Sequence, residues 1–349
     1  MTPAIRPQEQ LLLEALPDLP SERLLANTAG RAQFAAAFAR RDAASAATCW
    51  LLDLYQLQEC RRVSGPLPAN LRLVCQADPP AEEFDLVAWA CSKQGDGELT
   101  REMLQAGHER LRLGGQMACA IDNPRDRWLH EQLQALFPKV TRRASASGVL
   151  YLATKMAPLK KRKNYAAEFS FRDGEREIRL RTRPGVFSHR ELDGGARALI
   201  KALPIEPGQR VLDLGCGSGA VGLAAALRAP QTSVRAIDSN PRAIEATLWA
   251  AASNGVAGRV TAALDCDGSS ISPGTFEFVL ANPPYYSNFR IAELFLRVAH
   301  RALARGGKAL IVTKSSEWYL ENVPVLLGEA AGMQVTPFSC YVVVQLARG

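Results

Sequence analysis

Residues 211 to 219 read VLDLGCGSG, that is Val211-Leu212-Asp213-Leu214-Gly215-Cys216-Gly217-Ser218-Gly219. An apolar run ends on a G-x-G-x-G loop, and the small apolar stretch Ala220 to Arg228 follows with helical composition. The reading is strand, tight loop, helix. Alternate glycines at 215, 217 and 219 allow positive-φ turns and close approach of a ligand to backbone. In an open parallel sheet, ligands bind outside the carboxyl ends of the strands. A dinucleotide fold would prefer G-x-G-x-x-G, with its pyrophosphate against the helix N-terminus. Here the spacing differs, and Asp213 stands two residues before the first glycine. An acid there repels phosphate and suits a cationic, phosphate-free ligand.

Working outward, the pattern alternates. Val211 to Leu214, Ser233 to Ile237, Val260 to Leu264, Phe276 to Ala281 and Lys308 to Thr313 read as strands. Ala220 to Arg228 and Ala243 to Ser253 read as helices, the second closed by Asn254-Gly255. Such alternation predicts an α/β fold with a mostly parallel, doubly wound sheet. Phe169 to Arg183 reads as a hairpin turning at Asp173-Gly174. Asp238 ends the second strand, where an acid can accept both hydroxyls of a ribose; helix capping is the structural alternative, since Asn240-Pro241 follows. Asp265 ends the third strand and could reach an adenine amino group. Asp267 is its rival, and either could be a turn residue.

The same plan is written twice. Phe84 to Ala90 resembles Phe276 to Asn282, and Gly114-Gly115 repeats as Gly306-Gly307. Ser147 to Ala153 matches Ser339 to Gln345 in the same ungapped register. Matches this far apart in one register argue for duplicated domains. The expected organisation is a first domain at 1–154, a basic linker at 155–167 and a second domain at 168–349.

One stretch of the second domain asks for an explanation of its own, FVLANPPYYSN at 278–288. Two prolines remove two donors and fix two φ angles, and the residue before each is pushed extended. The chain thus leaves the sheet stiffly, carrying Asn282 and then Tyr285. An ordinary strand exit is the bland reading.

Composition narrows the class. The chain has 349 residues and 47% apolar content, enough for two cores. No run of 18 apolar residues occurs, and MTPAIRPQEQ lacks a basic-then-apolar leader, so a cytoplasmic protein without membrane contact is expected. None of the eight cysteines forms C-x-x-C. Buried free thiols are expected, and no metal site. The net charge is +7, yet Lys139 to Arg183 alone carries 13 basic and 4 acidic residues. Its densest part, Lys160 to Lys163, is either a solvated linker or a strip facing a polyanion.

Asp213 with its glycine loop, Asp238, Asp265 and Asn282-Pro283-Pro284-Tyr285 fall in an order that resembles the S-adenosylmethionine-dependent methyltransferases of the Rossmann-like class. Pro184-Gly185-Val186-Phe187-Ser188 and Leu192-Asp193-Gly194-Gly195 narrow the likeness to the ribosomal RNA guanine-N2 methyltransferases, which are themselves duplicated. The resemblance implies two tandem methyltransferase domains, the first degenerate. It implies S-adenosyl-L-methionine as cofactor, held by Asp213, Gly215, Gly217, Gly219, Asp238 and Asp265. It implies catalysis at Asn282, Pro283 and Tyr285: the Asn282 oxygen and the Pro283 carbonyl accept the two hydrogens of a planar amine, and Tyr285 stacks on its ring. The implied partner is ribosomal RNA or a ribosomal subunit, met by a monomer. His189 is read as a turn residue. In the first half, Leu24 to Gly30 holds the loop position with one glycine, and Ala90-Cys91-Ser92-Lys93 replaces the Asn-Pro-Pro-Tyr element. That domain is expected to hold RNA or brace the second. Methylation of a protein glutamine amide, and a non-catalytic RNA-binding assembly factor, are the alternative readings.

Overall fold

A computed structural model describes residues 4–63, 65–284, 289–328 and 332–349. Contacts divide the chain into two units, Met1–Tyr165 and Ala166–Gly349.

The first unit runs α1 (Pro7–Ala15), β1 (Arg23–Ala26), α2 (Gln33–Arg41), β2 (Ala46–Leu51), α3 (Leu54–Val63), β3 (Leu71–Cys75), β4 (Phe84–Cys91), α4 (Gly97–Arg110), β5 (Leu111–Ile121), α5 (Trp128–Gln134), β6 (Val140–Ala144) and β7 (Val149–Thr154). The second opens with a separate hairpin, β8 (Ala167–Asp173) and β9 (Arg176–Thr182). It continues α6 (Gly194–Ala202), β10 (Arg210–Leu214), α7 (Ala220–Arg228), β11 (Ser233–Asp238), α8 (Pro241–Ser253), β12 (Val260–Leu264), β13 (Phe276–Ala281), α9 (Arg290–Ala302), β14 (Leu303–Thr313), α10 (Ser316–Leu327), β15 (Gly332–Phe338) and β16 (Tyr341–Ala347).

Both units build a seven-stranded sheet in one topology, β3-β2-β1-β4-β5-β7-β6 and β12-β11-β10-β13-β14-β16-β15. Pairing is parallel from the first edge to β5 or β14 and antiparallel beyond. Central strands bury both faces, as helix-covered parallel sheets must. Phe278 and Leu280 enter one core, while Val279 and Ala281 enter the other.

The duplication extends to details that a generic fold does not require. The β4–β5 ladder slips between Phe84 and Leu86, and the β13–β14 ladder between Phe276 and Phe278. The paired glycines explain why both motifs survive. Gly114 and Gly306 take φ of 77° and 74°. A Cβ on Gly115 would stand 3.0 Å from the Asp85 carbonyl, and one on Gly307 2.9 Å from the Phe276 carbonyl. The second residue of β4 and of β13 is an acid in each case. Asp85 accepts from Arg23 N at 2.8 Å, and Glu277 from Arg210 N at 2.7 Å, tying adjacent parallel strands at their amino ends.

The stretch expected to be a linker is partly a surface of the first unit. Gln105 of α4 brackets Lys163, donating to its carbonyl at 3.1 Å and accepting from its N–H at 2.8 Å. Tyr165 is buried, and the boundary between units falls after it.

Candidate functional site

The register places the sequence motifs in a row. Leu214 pairs with Ile237 on one side and with Ala281 on the other, and Asp238 pairs with Leu264. The residues that follow along the carboxyl edge are therefore Asp265, Asp238, Gly215 and Asn282, in spatial order β12, β11, β10, β13. The chain winds one way from β10 to β12 and the other way from β13 to β14. The crevice thus opens between β10 and β13, where such sheets hold ligands.

The loop between β10 and α7 is built from backbone. Gly215, Gly217 and Gly219 have φ of 68°, 53° and 80°, the region that disfavours side chains. The N–H groups of Gly215 and Cys216 both donate to the Ile237 carbonyl, at 2.9 and 3.1 Å, which bends the loop toward β11. A Cβ on Gly215 would stand 3.0 Å from the Phe295 ring of α9, and one on Gly219 2.9 Å from Thr247 Oγ1 of α8. Phe295 of α9 and Thr247 of α8 thus pack close against the loop at Gly215 and Gly219.

Asp238 stands at the mouth, half-buried. Its Oδ2 accepts from Gly217 N at 2.9 Å and its Oδ1 from Asn240 N at 2.8 Å. The helix-cap alternative goes elsewhere: Asn240 is the residue that caps α8, accepting from Arg242 N at 2.9 Å. Asn240 also donates to the Gly185 carbonyl at 2.6 Å, and Arg242 to the Pro184 carbonyl at 2.6 Å. These bonds fasten the Pro184–Ser188 segment beside the loop, and Phe187 is left 60% exposed there. His189 meets Thr182 Oγ1 at 2.8 Å.

Asp213 lies beneath the loop, 4% exposed. Its Oδ2 accepts from Gly222 N at 3.0 Å and so pins the first turn of α7. Burial pushes its carboxyl up to about 7; the Gly222 N–H opposes that rise and the Asp238 charge adds to it. Asp265 is 5% exposed and serves a turn. Its oxygens accept from the N–H groups of Asp267, Gly268 and Ser270 at 3.0, 2.8 and 2.9 Å, and from the Ser270 hydroxyl. These bonds hold its carboxyl below the usual range despite burial. Asp267 is exposed and accepts from Ser269 N at 3.0 Å.

Asn282 leaves β13 half-buried, and Pro283 is buried. Asn282 Nδ2 donates to Asp193 Oδ2 at 2.9 Å. Tyr285 falls outside the described residues. Just beyond, Phe289 stacks on Trp318 of α10 with ring centroids 4.8 Å apart. Among the described residues no cluster of His, Cys, Asp and Glu could hold a metal, and no helix is long and apolar enough to cross a membrane.

Sequence reasoning gives Asp193 no role beyond membership of a family-like stretch. Its contact with Asn282 spans 89 positions and leaves no local trace. The sole legible signal is an Asp before Gly-Gly at the start of a helix, the pattern of an N-cap.

The first unit fills the corresponding place with its own atoms. Asn27 Oδ1 accepts from Ala90 N at 2.7 Å and its Nδ2 donates to the Ala90 carbonyl at 3.2 Å, lacing β1 to β4 where the second unit has Asn282. Glu9 of α1 is wholly buried over the loop. It accepts from the Thr28 hydroxyl, from Ala29 N at 3.2 Å and from Phe34 N at 3.0 Å. These donors are satisfied within the unit itself.

Comparison with known proteins bears on the second unit first. Residues 177–336 match the methyltransferase small domain family. The ribosomal RNA small subunit methyltransferase C of Vibrio parahaemolyticus is 35% identical over 157 residues, 44% of each chain. That of Pseudomonas putida is 33% identical over 172 residues, 48% of this chain and 49% of the relative. The matches thus span about half the length of these relatives. A 16S rRNA N2 methyltransferase of T. Thermophilus, solved with AdoMet and guanosine, superposes with a TM-score of 0.82 over 98% of this chain and 92% of that one. At 21% identity this likeness shows the fold, including the duplicated plan.

Proposed function

We propose, from the match of residues 177–336 to the methyltransferase small domain family, that this chain methylates the exocyclic N2 amine of a guanine in ribosomal RNA. The observation that carries the reading is the juxtaposition of Gly215 and Asn282. They follow the paired residues Leu214 and Ala281 on neighbouring strands, which run roughly 4.8 Å apart. A ligand cradled by the loop therefore lies beside an amide held at the next strand end.

The residues fit S-adenosylmethionine. The glycine loop offers backbone without Cβ atoms, and Asp238 stands one strand away at ribose distance in such sheets. Asp213, beneath the loop, holds α7 in place through Gly222 N. Asp265 shapes the turn that walls the adenine side, and Asp267 is the acid of that turn left at the surface. Bound there, the cofactor supplies an electrophilic methyl group on a sulfonium.

The chain's own contribution is alignment. A conjugated amine is a poor nucleophile until its lone pair is freed from the ring. Asn282 Oδ1 and the Pro283 carbonyl accept the two N–H hydrogens, and the prolines keep both acceptors fixed. Positive charge developing on the nitrogen is thereby stabilised by preorganised dipoles. Tyr285 stacks on the base.

The first unit, with its loop filled by Glu9 and Asn27, holds RNA and binds no cofactor. The protein acts as a monomer in the cytoplasm, on rRNA or a ribosomal subunit.

Transfer of a tritiated methyl group to rRNA, followed by digestion to nucleosides, tests the reading. N2-methylguanosine is the expected product. Label appearing in the protein fraction would support the glutamine-amide alternative, and no transfer at all would support the assembly-factor alternative.

A further inference from the structure

The orientation of Asn282 is decided by a residue outside its motif. Asp193 caps α6, and its Oδ2 accepts from Gly195 N at 2.8 Å and Ala196 N at 3.2 Å. The same oxygen accepts from Asn282 Nδ2 at 2.9 Å. A carboxylate has only acceptors to offer, so the amide must turn its nitrogen toward it. Oδ1, packed beside Gly195, is then the amide atom left to accept from a substrate. Were the amide reversed, its NH2 group would meet the hydrogens of the amine, donor against donor.

The surroundings allow little play. A Cβ on Gly195 would stand 2.8 Å from Asn282 Oδ1 and 2.8 Å from Asp193 Oδ2. One on Gly194 would stand 2.7 Å from the Tyr341 ring of β16. The Gly-Gly pair after Asp193 thus lets the helix end approach the amide and the neighbouring strand. Asp193 is itself anchored by the first turn of α6, which packs on β14 and β16 of the same sheet. The carboxylate and the amide are therefore fixed to one rigid body.

We propose that Asp193 is a positioning residue for methyl transfer: it sets the Asn282 amide so that Oδ1, and not Nδ2, meets the target amine. This rests on the amine-methylation reading above. A residue that orients a group in contact with substrate typically contributes 10–100-fold, roughly, to rate.

The competing account is that Asp193 merely caps a helix. Full-length protein, labelled S-adenosylmethionine and rRNA in single-turnover mode separate the two. Asp193→Ser keeps a good cap but shortens the side chain. It is expected to melt near the wild type and bind cofactor within about two-fold, while the single-turnover rate falls roughly 10–100-fold.

A charge swap gives the second arm. Asn282→Asp alone sets two carboxylates face to face and is expected to be slow. Adding Asp193→Asn supplies a donor toward Asp at 282 and is expected to recover at least about ten-fold over Asn282→Asp. A Ser variant with the wild-type rate, or a swap with no recovery, overturns the positioning role while methylation stands. Wild-type protein that moves no methyl to rRNA overturns both readings.

Discussion

At the residue scale, Asp213 is a buried acid whose proton is set by its surroundings. Its carboxyl titrates near 3.8 when exposed and about 7 when folded. The folded chain therefore binds a proton that the unfolded chain has released. Its contribution to stability is complete below pH 4 and is lost as pH rises toward 7. Asp213→Asn keeps an acceptor for Gly222 N without the titration. The difference in melting temperature between wild type and this variant is expected to shift against the wild type across that window; a difference independent of pH would place the titration on another group. Asp238 differs because it stands at the mouth of the loop. Asp238→Ala is expected to weaken S-adenosylmethionine by about 1–3 kcal/mol, the cost of leaving ligand hydroxyls unpaired, and calorimetry reads it directly. Asn282→Ala is expected to abolish turnover while cofactor affinity stays within a few-fold, because Asn282 adjoins the amine side of the crevice. Near-normal single-turnover rates in that variant would remove the amine clamp. The positions of Asp213, Asp238 and Asn282 were legible because each sits at or beside a strand end, which alternation and glycine spacing reveal. At Asp265 the sequence leaves ligand and turn open, and the structure adds that its carboxylate accepts from the N–H groups of residues 267, 268 and 270.

At the element scale, the boundaries of β13 and α7 fall where the apolar runs end, because residues 278–281 and 220–226 are buried throughout. β14 runs longer than its apolar core, starting at Leu303 instead of Lys308, since the positive-φ Gly306 continues the ladder through a bulge that composition reads as a break. The stretch 155–165 departs from expectation for the converse reason. Its lysines look like linker, but the bonds that fasten it come from Gln105, 58 positions away from Lys163. The N-terminus of α2 is held from outside the sheet. Glu9 supplies, from α1, a carboxylate to the loop at 28–34. Burial raises its carboxyl, and the bonds from Thr28, Phe34 and Ala29 counter that rise. Glu9→Ala strands these donors and is expected to destabilise the protein by about 1–3 kcal/mol, while Glu9→Gln, which keeps an acceptor, costs less. Urea unfolding measures both. Unchanged stability in Glu9→Ala would mean that the loop finds other acceptors, and that its filling is not what keeps the first unit folded.

At the scale of the whole molecule, one sheet plan occurs twice, and charge is spread unevenly along the chain. Net positive charge is concentrated between Lys139 and Arg183, so the strip is where an RNA backbone is expected to lie. The structure changes how that strip must be counted. Arg143 pairs with Asp18 at 2.7 Å, Arg162 with Glu109 at 3.1 Å and Arg183 with Glu245 at 3.4 Å. Such surface pairs contribute little to stability, yet each acid offsets a charge that a phosphate would otherwise see. Lys160 and Lys161 are exposed, and Lys163 stands 5.1 Å from the Tyr165 ring. The four residues from Lys160 to Lys163 are therefore not equivalent. Replacing all four by alanine is expected to weaken RNA binding without altering cofactor affinity. The slope of log affinity against log salt should flatten by roughly 0.7–0.9 for each phosphate that is no longer neutralised. Lys160→Ala with Lys161→Ala is expected to account for most of that change, and Arg162→Ala for less, because Glu109 already neutralises it. Phosphate contacts position RNA without reading its sequence, so the weakening should be similar for rRNA and for unrelated RNA. If the quadruple variant kept the wild-type salt slope, the strip would be a solvated surface and the grip on RNA would have to come from elsewhere in the chain.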